Sequence, residues 1–253
     1  MKFSRRIAFA AIAAPLTLAL AACNGEEEAG ALPRGEPVAA VPAPQGSAWT
    51  EQVVRTEEGG WQVGNPNAPI KLVEYGSLTC PACAAFSAEA SEPLLNDYVN
   101  SGRVSFEFRS FMIHGIADLV LTRMLECGAP TAAVPLADQI WASLRSETPA
   151  FNTANQAALE RANALPPEQR LVALADAAGT LDFFAARGIS RDQAATCLAD
   201  FDAAQQLTDT TGAAAEAQEV SGTPTFFLNG TRVDGITWDA VQPALQRAGA
   251  RDE

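Results

Sequence analysis

Ile70-Lys71-Leu72-Val73-Glu74-Tyr75, then Gly76-Ser77-Leu78-Thr79, then Cys80-Pro81-Ala82-Cys83 is the stretch whose reading decides the fold. Residues 70–75 are apolar and β-prone, as a buried strand is. Beyond the cysteines, Phe86, Ala90, Leu94 and Tyr98 recur at a spacing that lines one helix face. The two thiols therefore sit where a strand hands over to a helix. At a helix N-terminus the orphan amide N–H groups and the macrodipole favour a thiolate, so Cys80 is expected to be the acidic thiol of a dithiol redox pair.

Two other readings of this pair remain at the level of residues alone. Half of a zinc site is one, since structural zinc commonly takes two such pairs. Against it, Cys23, Cys127 and Cys197 are isolated from one another and His114 is the sole histidine. A purely structural 80–83 disulfide is the other.

The N-terminus fixes the redox compartment. Lys2, Arg5 and Arg6 precede an apolar stretch, residues 7–22, too short to span a bilayer comfortably, so residues 1–22 read as an export leader. Leu20-Ala21-Ala22-Cys23 resembles the lipobox of bacterial lipoproteins, which implies cleavage before Cys23 and acylation of its thiol. A plain secretory signal ending near a chance cysteine is the alternative. In both cases the chain is exported to an oxidising compartment where disulfides persist. Asn24 follows the cysteine. By the lipoprotein resemblance, the expected place is the periplasmic face of a bacterial membrane, with the outer membrane favoured.

Charge excludes other partners. The formal net charge is −13, and loss of the three basic leader residues takes it to about −16, a surface that repels nucleic acid and anionic lipid. Glu26-Glu27-Glu28 and the prolines 33, 37, 42 and 44 mark residues 23–48 as an acylated start followed by an irregular linker. Some 25 such residues reach roughly 30 Å as a coil. Residues 49–253 are left as one domain, long enough for a sizeable core.

Along that domain, residues 53–54 and 61–63 are read as a leading hairpin, and Pro93 should kink or end the helix that begins at Cys80. Val104, Phe106 and Phe108 alternate with Ser105, Glu107 and Arg109, a half-buried strand. From about 116 to 212 the chain is Ala/Leu-rich and helical in period, with Ser190-Arg191-Asp192-Gln193 as a capping box. Thr225-Phe226-Phe227-Leu228 is a strand that turns at Asn229-Gly230 into Thr231-Arg232-Val233. A last helix is expected over 238–248, with Thr237 as N-cap and Gly249 as C-cap.

An early βαβ unit with CxxC, a helical insertion and a closing hairpin plus helix, preceded by Val220-Ser221-Gly222-Thr223-Pro224-Thr225, resembles the DsbA-like branch of the thioredoxin superfamily. Gly64-Asn65-Pro66-Asn67-Ala68-Pro69 belongs to the same pattern, and the resemblance covers about 66–249. It implies an α/β thioredoxin fold, a mixed sheet flanked by helices, with a large helical insertion. The implied activity is exchange of disulfides with protein substrates. Cys80 is implied as nucleophile, Cys83 as resolving thiol, and Glu74 as the buried acid that handles the resolving thiol's proton. A solvated strand residue is the plainer reading of Glu74. Pro224 matches the cis-proline that faces the disulfide, and Thr223 the variable residue before it. Cys127 and Cys197 are implied as a second, structural disulfide; two buried free thiols are the alternative.

The resemblance implies no organic cofactor and no metal. It does imply a membrane redox partner, a quinone-coupled oxidase or a membrane reductant, and the absence of a dimerisation segment favours a monomer. A non-enzymatic holdase or copper chaperone would use the same thiols, but the extra Met or His ligands that copper prefers are not placed near the pair. His114 reads as a capping or core residue rather than a catalytic one. One departure from the family pattern matters: Pro81-Ala82 lacks the histidine of the strongest oxidants, so Cys80 is expected to be less acidic than theirs.

Overall fold

The computed structural model of the protein describes residues 34–146 and 156–252. Residues 1–22, expected to be a leader, Cys23, expected to be acylated, and the Glu26-Glu27-Glu28 run lie outside the described residues. The expected hairpin forms: β1 (Val53–Arg55) pairs antiparallel with β2 (Trp61–Gly64), placing Arg55 opposite Trp61. β3 (Ile70–Gly76) and β4 (Val104–Ser110) run parallel, joined by α1 (Pro81–Pro93). β5 (Thr225–Leu228) returns antiparallel to β3 and turns into β6 (Thr231–Arg232), giving a mixed sheet in the order β1-β2-β4-β3-β5-β6. Asn229 and Gly230 both have positive φ, 50° and 82°, as a type I′ turn demands.

Central position explains the burial of β3. Ile70, Leu72 and Glu74 point to one face, with β4 on one side and β5 on the other. That face is covered by α1 and the last helix, where Phe86 meets Phe226 at 4.4 Å and Trp238 at 6.4 Å between ring centroids. β4 differs from its half-buried reading, because both of its faces are covered. Glu107 is only 8% exposed, and its carboxylate accepts from Arg109 Nε at 2.7 Å and from Thr56 Oγ1 at 2.6 Å. A buried carboxylate with these partners is charge-compensated, which is how an outward-patterned residue tolerates an interior position.

The helical insertion follows β4: α2 (Ile116–Cys127), α3 (Ala133–Leu144), α4 (Gln156–Asn163), α5 (Pro167–Ala177), α6 (Thr180–Ala185), α7 (Arg191–Leu198) and α8 (Phe201–Ala217). It runs five residues past the expected end near 212. Pro93 does close α1, yet the chain winds on as a π-helical segment, Leu94–Val99. The capping box at Ser190 forms by half. Ser190 Oγ accepts from Gln193 N, but the Gln193 side chain donates to the Cys127 carbonyl at 2.7 Å, tying α7 to α2. α9 (Trp238–Arg247) starts after Thr237, whose hydroxyl makes no cap bond, and its C-cap is Ala248 rather than the expected Gly249, which lies one residue beyond.

The linker reading of residues 35–48 is corrected. Gly35 N donates to Arg247 O and Val38 N to Gly249 O, both at 2.8 Å, and Val41 N donates to Ser101 O at 2.9 Å. Trp49 Nε1 then donates to the Val41 carbonyl at 2.7 Å. The prolines forbid a helix or central strand but not an extended segment laid against the domain. Gly249, at φ 113°, allows the approach: a Cβ there would collide with the Glu36 carbonyl.

Candidate active site

The site is built around the first turn of α1. Cys80 is its N-cap, in extended conformation, and Pro81 occupies the first helical position, where a missing N–H costs nothing. Both cysteines are free thiols; Cys80 is 6% exposed and Cys83 is fully buried. In this reduced state the Cys80 thiol lies 3.4 Å from the Thr223 carbonyl, within reach to donate to it. The Thr223–Pro224 peptide is cis, and it is the Thr223 carbonyl of that peptide that faces the Cys80 thiol. The buried Thr223 Oγ1 has no hydrogen-bond partner among the described residues.

The two thiols are pushed in opposite directions. The Cys83 thiol donating to the Cys80 sulfur is the largest influence on Cys80. With help from Thr223 and the backbone N–H groups of Cys83 and Ala82, it outweighs burial and brings Cys80 down to about 5. Burial, then its own donation to Cys80 and the nearby Glu74, drive Cys83 far upward, so it stays protonated. A nucleophile needs to be a thiolate, and only Cys80 is one at neutral pH.

Glu74 is buried beneath the pair, 1% exposed. Burial first, then the charges of Asp138 and Cys80, push its carboxyl up to about 8. Gly76, two residues on, leaves it room: a Cβ there would sit 2.9 Å from Glu74 Oε1. The raised value has a consequence for stability. An acid at about 4.5 when exposed and about 8 when folded contributes full stability below the lower value and loses it as pH rises through the higher one. Glu74→Gln is therefore expected to flatten a fall in unfolding free energy of several kcal/mol between about pH 4.5 and pH 8. Urea titrations of the oxidised protein test this, because there neither cysteine titrates. An equal fall in the variant would show that Glu74 ionises normally.

Sequence reading missed the group that fixes the turn before Cys80. Asp118, fully buried on α2, accepts from Ser77 Oγ at 2.9 Å, Thr79 N at 3.1 Å, Thr79 Oγ1 at 2.9 Å and His114 N at 3.0 Å. Trp141 Nε1 on α3 donates to Ser77 O at 2.9 Å. Ser77–Thr79 is thus clamped by two insertion helices, and Cys80 follows directly. His114 caps nothing; its ring is half exposed and its Nδ1 lies 2.7 Å from Thr79 Oγ1, beside the site. The readable signal for Asp118 was its place on the apolar face with Leu121, Thr122 and Leu125.

Cys127 and Cys197 are joined, with Cα atoms 5.9 Å apart, bridging the end of α2 to α7. Arg123 Nη2 donates to the Cys197 carbonyl at 3.0 Å alongside. The bridge lies in the insertion and does not touch the 80–83 pair. No cluster of three or more His, Cys, Asp or Glu side chains is placed to hold a metal among the described residues.

Known proteins share this arrangement. Residues 56–247 match the family described as Thioredoxin. A Rickettsia bellii protein with the provisional name of protein-disulfide oxidoreductase is 22% identical over 77% of this chain. The chain spans 66% of that curated relative, just under two thirds of its length. Among solved structures, a protein-disulfide isomerase from Novosphingobium aromaticivorans is 26% identical, with a TM-score of 0.66 over 78% of this chain and all of its own. The α-DsbA1 of Wolbachia pipientis, 19% identical, shares the fold at a TM-score of 0.58 over 74% of this chain and 89% of its own. With residues 56–247 matched, well over half of its length, the chain belongs to the thioredoxin family.

Proposed function

We propose that this protein is a thiol–disulfide oxidoreductase that exchanges disulfides with protein substrates through Cys80 and Cys83. The observation that carries the reading is the pairing of an acidic helix-capping thiol with a buried thiol that keeps its proton. In the oxidising direction a substrate thiolate attacks the Cys80 sulfur of the closed pair. The Cys80–Cys83 bond breaks, its electrons pass to the Cys83 sulfur, and Glu74 supplies the proton. A second substrate thiolate then attacks the substrate sulfur of the mixed disulfide, and Cys80 leaves as the stabilised thiolate. The substrate is oxidised by two electrons and the enzyme reduced by two. Electrons then pass to a membrane redox partner.

A thiol near 5 lies between the values of about 7 in thioredoxin and about 3.5 in DsbA. A more stable thiolate favours the reduced form, so the expected potential falls between about −270 and −120 mV. The test is to mix the oxidised protein with a reduced, unfolded protein carrying several cysteines. Disulfides should appear in the substrate as Cys80 and Cys83 become thiols; no exchange would refute the reading.

Export and anchoring through Cys23 form part of the proposal, supported by the lipobox-like Leu20-Ala21-Ala22-Cys23 and the periplasmic chemistry of the pair. A multiply acylated cysteine anchors stably where one chain binds only marginally. The exported protein should partition into detergent and Cys23→Ser should release it to the soluble fraction. A wild type already soluble after export would sink the anchor.

A further inference from the structure

The Glu74 carboxyl, once it has given its proton to Cys83, lies too deep to recover one directly from solvent. Its Oε1 is buried and has no hydrogen-bond partner among the described residues. Beside it is a partly enclosed cavity of about 20 Å³ lined by Glu74, Ser87, Ser91, Asp138, Phe108 and Trp141, among others. That is room for one water, which needs two or more polar partners to be retained. The four polar side chains on this wall provide them.

Asp138 stands on the outer side of the same cavity. It lies on α3, on the helix face that otherwise presents Val134, Ala137 and Trp141 to the core, and it is partly exposed where Glu74 is not. Its Oδ1 accepts from Ser87 Oγ at 2.8 Å and from Ser91 Oγ at 2.7 Å, both on α1. Those bonds aim the carboxylate at the cavity and hold it there. The chain from sulfur to surface is therefore Cys83, Glu74, the cavity, Asp138.

We propose that Asp138 is a positioning residue for proton movement, the outlet through which Glu74 exchanges its proton with solvent by way of the water-sized cavity. The inference rests on the dithiol reading above and adds the step that resets it. When Cys83 leaves as a thiolate it takes the Glu74 proton, and Glu74 becomes a carboxylate. A proton from solvent then passes by Asp138 and the cavity to Glu74, one proton per reduction of the pair. In the reducing direction the same proton leaves by the same path.

The groups that face this path are few. Cys80 and Cys83 on α1 adjoin Glu74, and Asp138 is the nearby carboxyl. Arg145, just past α3, donates to the Ala84 carbonyl and favours the charged form of Asp138. Burial opposes that form and is the larger influence, so the Asp138 carboxyl sits above its ordinary value. β4 offers Phe106 and Phe108 to this region, and Phe226 of β5 lies opposite Glu74 in the sheet. Two carboxyls with raised affinities, one inside and one at the rim, are suited to pass a proton at neutral pH.

The test is single-turnover reduction of the oxidised protein by dithiothreitol from pH 5 to pH 9, read by acid quench and thiol labelling. Asp138→Asn keeps an acceptor for Ser87 and Ser91 but cannot carry a proton. It is expected to slow reduction by about a hundredfold at pH 9, where Glu74 starts as a carboxylate and the proton for Cys83 must enter from solvent, with the deficit shrinking toward pH 5, where Glu74 already holds that proton. Asp138→Glu should retain the wild-type profile, and the pH dependence of Cys80 alkylation should not change. Asp138→Ser carries the same expectation as Asn should the latter not fold. A variant profile that superimposes on wild type, or a slowing equal at every pH, overturns the outlet. Failure of the dithiol reading would show separately, as absence of any Cys80 mixed disulfide.

Discussion

Cys80→Ser is expected to reduce disulfide exchange to the uncatalysed level, and Cys83→Ser to do so while trapping substrate. The difference follows from which sulfur can be attacked. Cys80 caps α1 and keeps a narrow edge open to solvent, 6% exposed, whereas Cys83 is fully buried behind it. A substrate joined to Cys80 is released when Cys83 attacks that bond, so removing Cys83 leaves the mixed disulfide standing. Removing Cys80 leaves a thiol that is both unreachable and protonated. Non-reducing gels of the two variants, after mixing with an unfolded protein that carries mispaired disulfides, should show a stable adduct only with Cys83→Ser, formed as the Cys80 thiolate attacks a substrate disulfide and displaces one substrate thiolate. The reverse pattern would exchange the two roles.

The second large effect is on stability. The Cys127–Cys197 bridge closes a loop with a sequence separation of 70. In the chain-entropy account, opening it releases about 4 kcal/mol of denatured-state entropy. At this size that corresponds to a fall in Tm of about 10 °C. The double Ser variant is the right comparison, since chemical reduction would open the 80–83 pair as well. Exchange activity per folded molecule should persist, because the bridge stands apart from the thiols that react. A fall in Tm of less than about 2 °C would show that Arg123 and the Gln193–Cys127 bond already hold α7 against α2 without it.

What could be read from sequence was the chemistry held in short segments. Cys80 and Cys83 are three positions apart, and their place at a helix start follows from the strand before them and the period after them. The Asn229-Gly230 turn is equally local. Glu74 could be placed by its distance from Cys80, but its burial comes from β4 and β5 closing on either side. Asp118 and Asp138 were passed over because all their partners but the His114 N–H are 39 to 51 residues away in the chain. In each case an acid on the apolar face of a helix was the only local trace. Glu107 misled in the other direction: alternation placed it outward, and the second cover of β4 brought it in. The prolines of 35–48 correctly barred regular structure, but hydrogen bonds to Arg247, Gly249 and Ser101 lie far outside any local window.

The central claim is that Cys80 is a thiolate at neutral pH while Cys83 is not. Alkylation of the reduced protein with iodoacetamide, followed by mass spectrometry of each cysteine across pH 3 to 10, measures both thiols at once. Cys80 should be modified with a midpoint near 5, and Cys83 should stay unmodified throughout. A Cys80 midpoint near the ordinary thiol value of about 8.5, or modification of Cys83 first, would contradict the account.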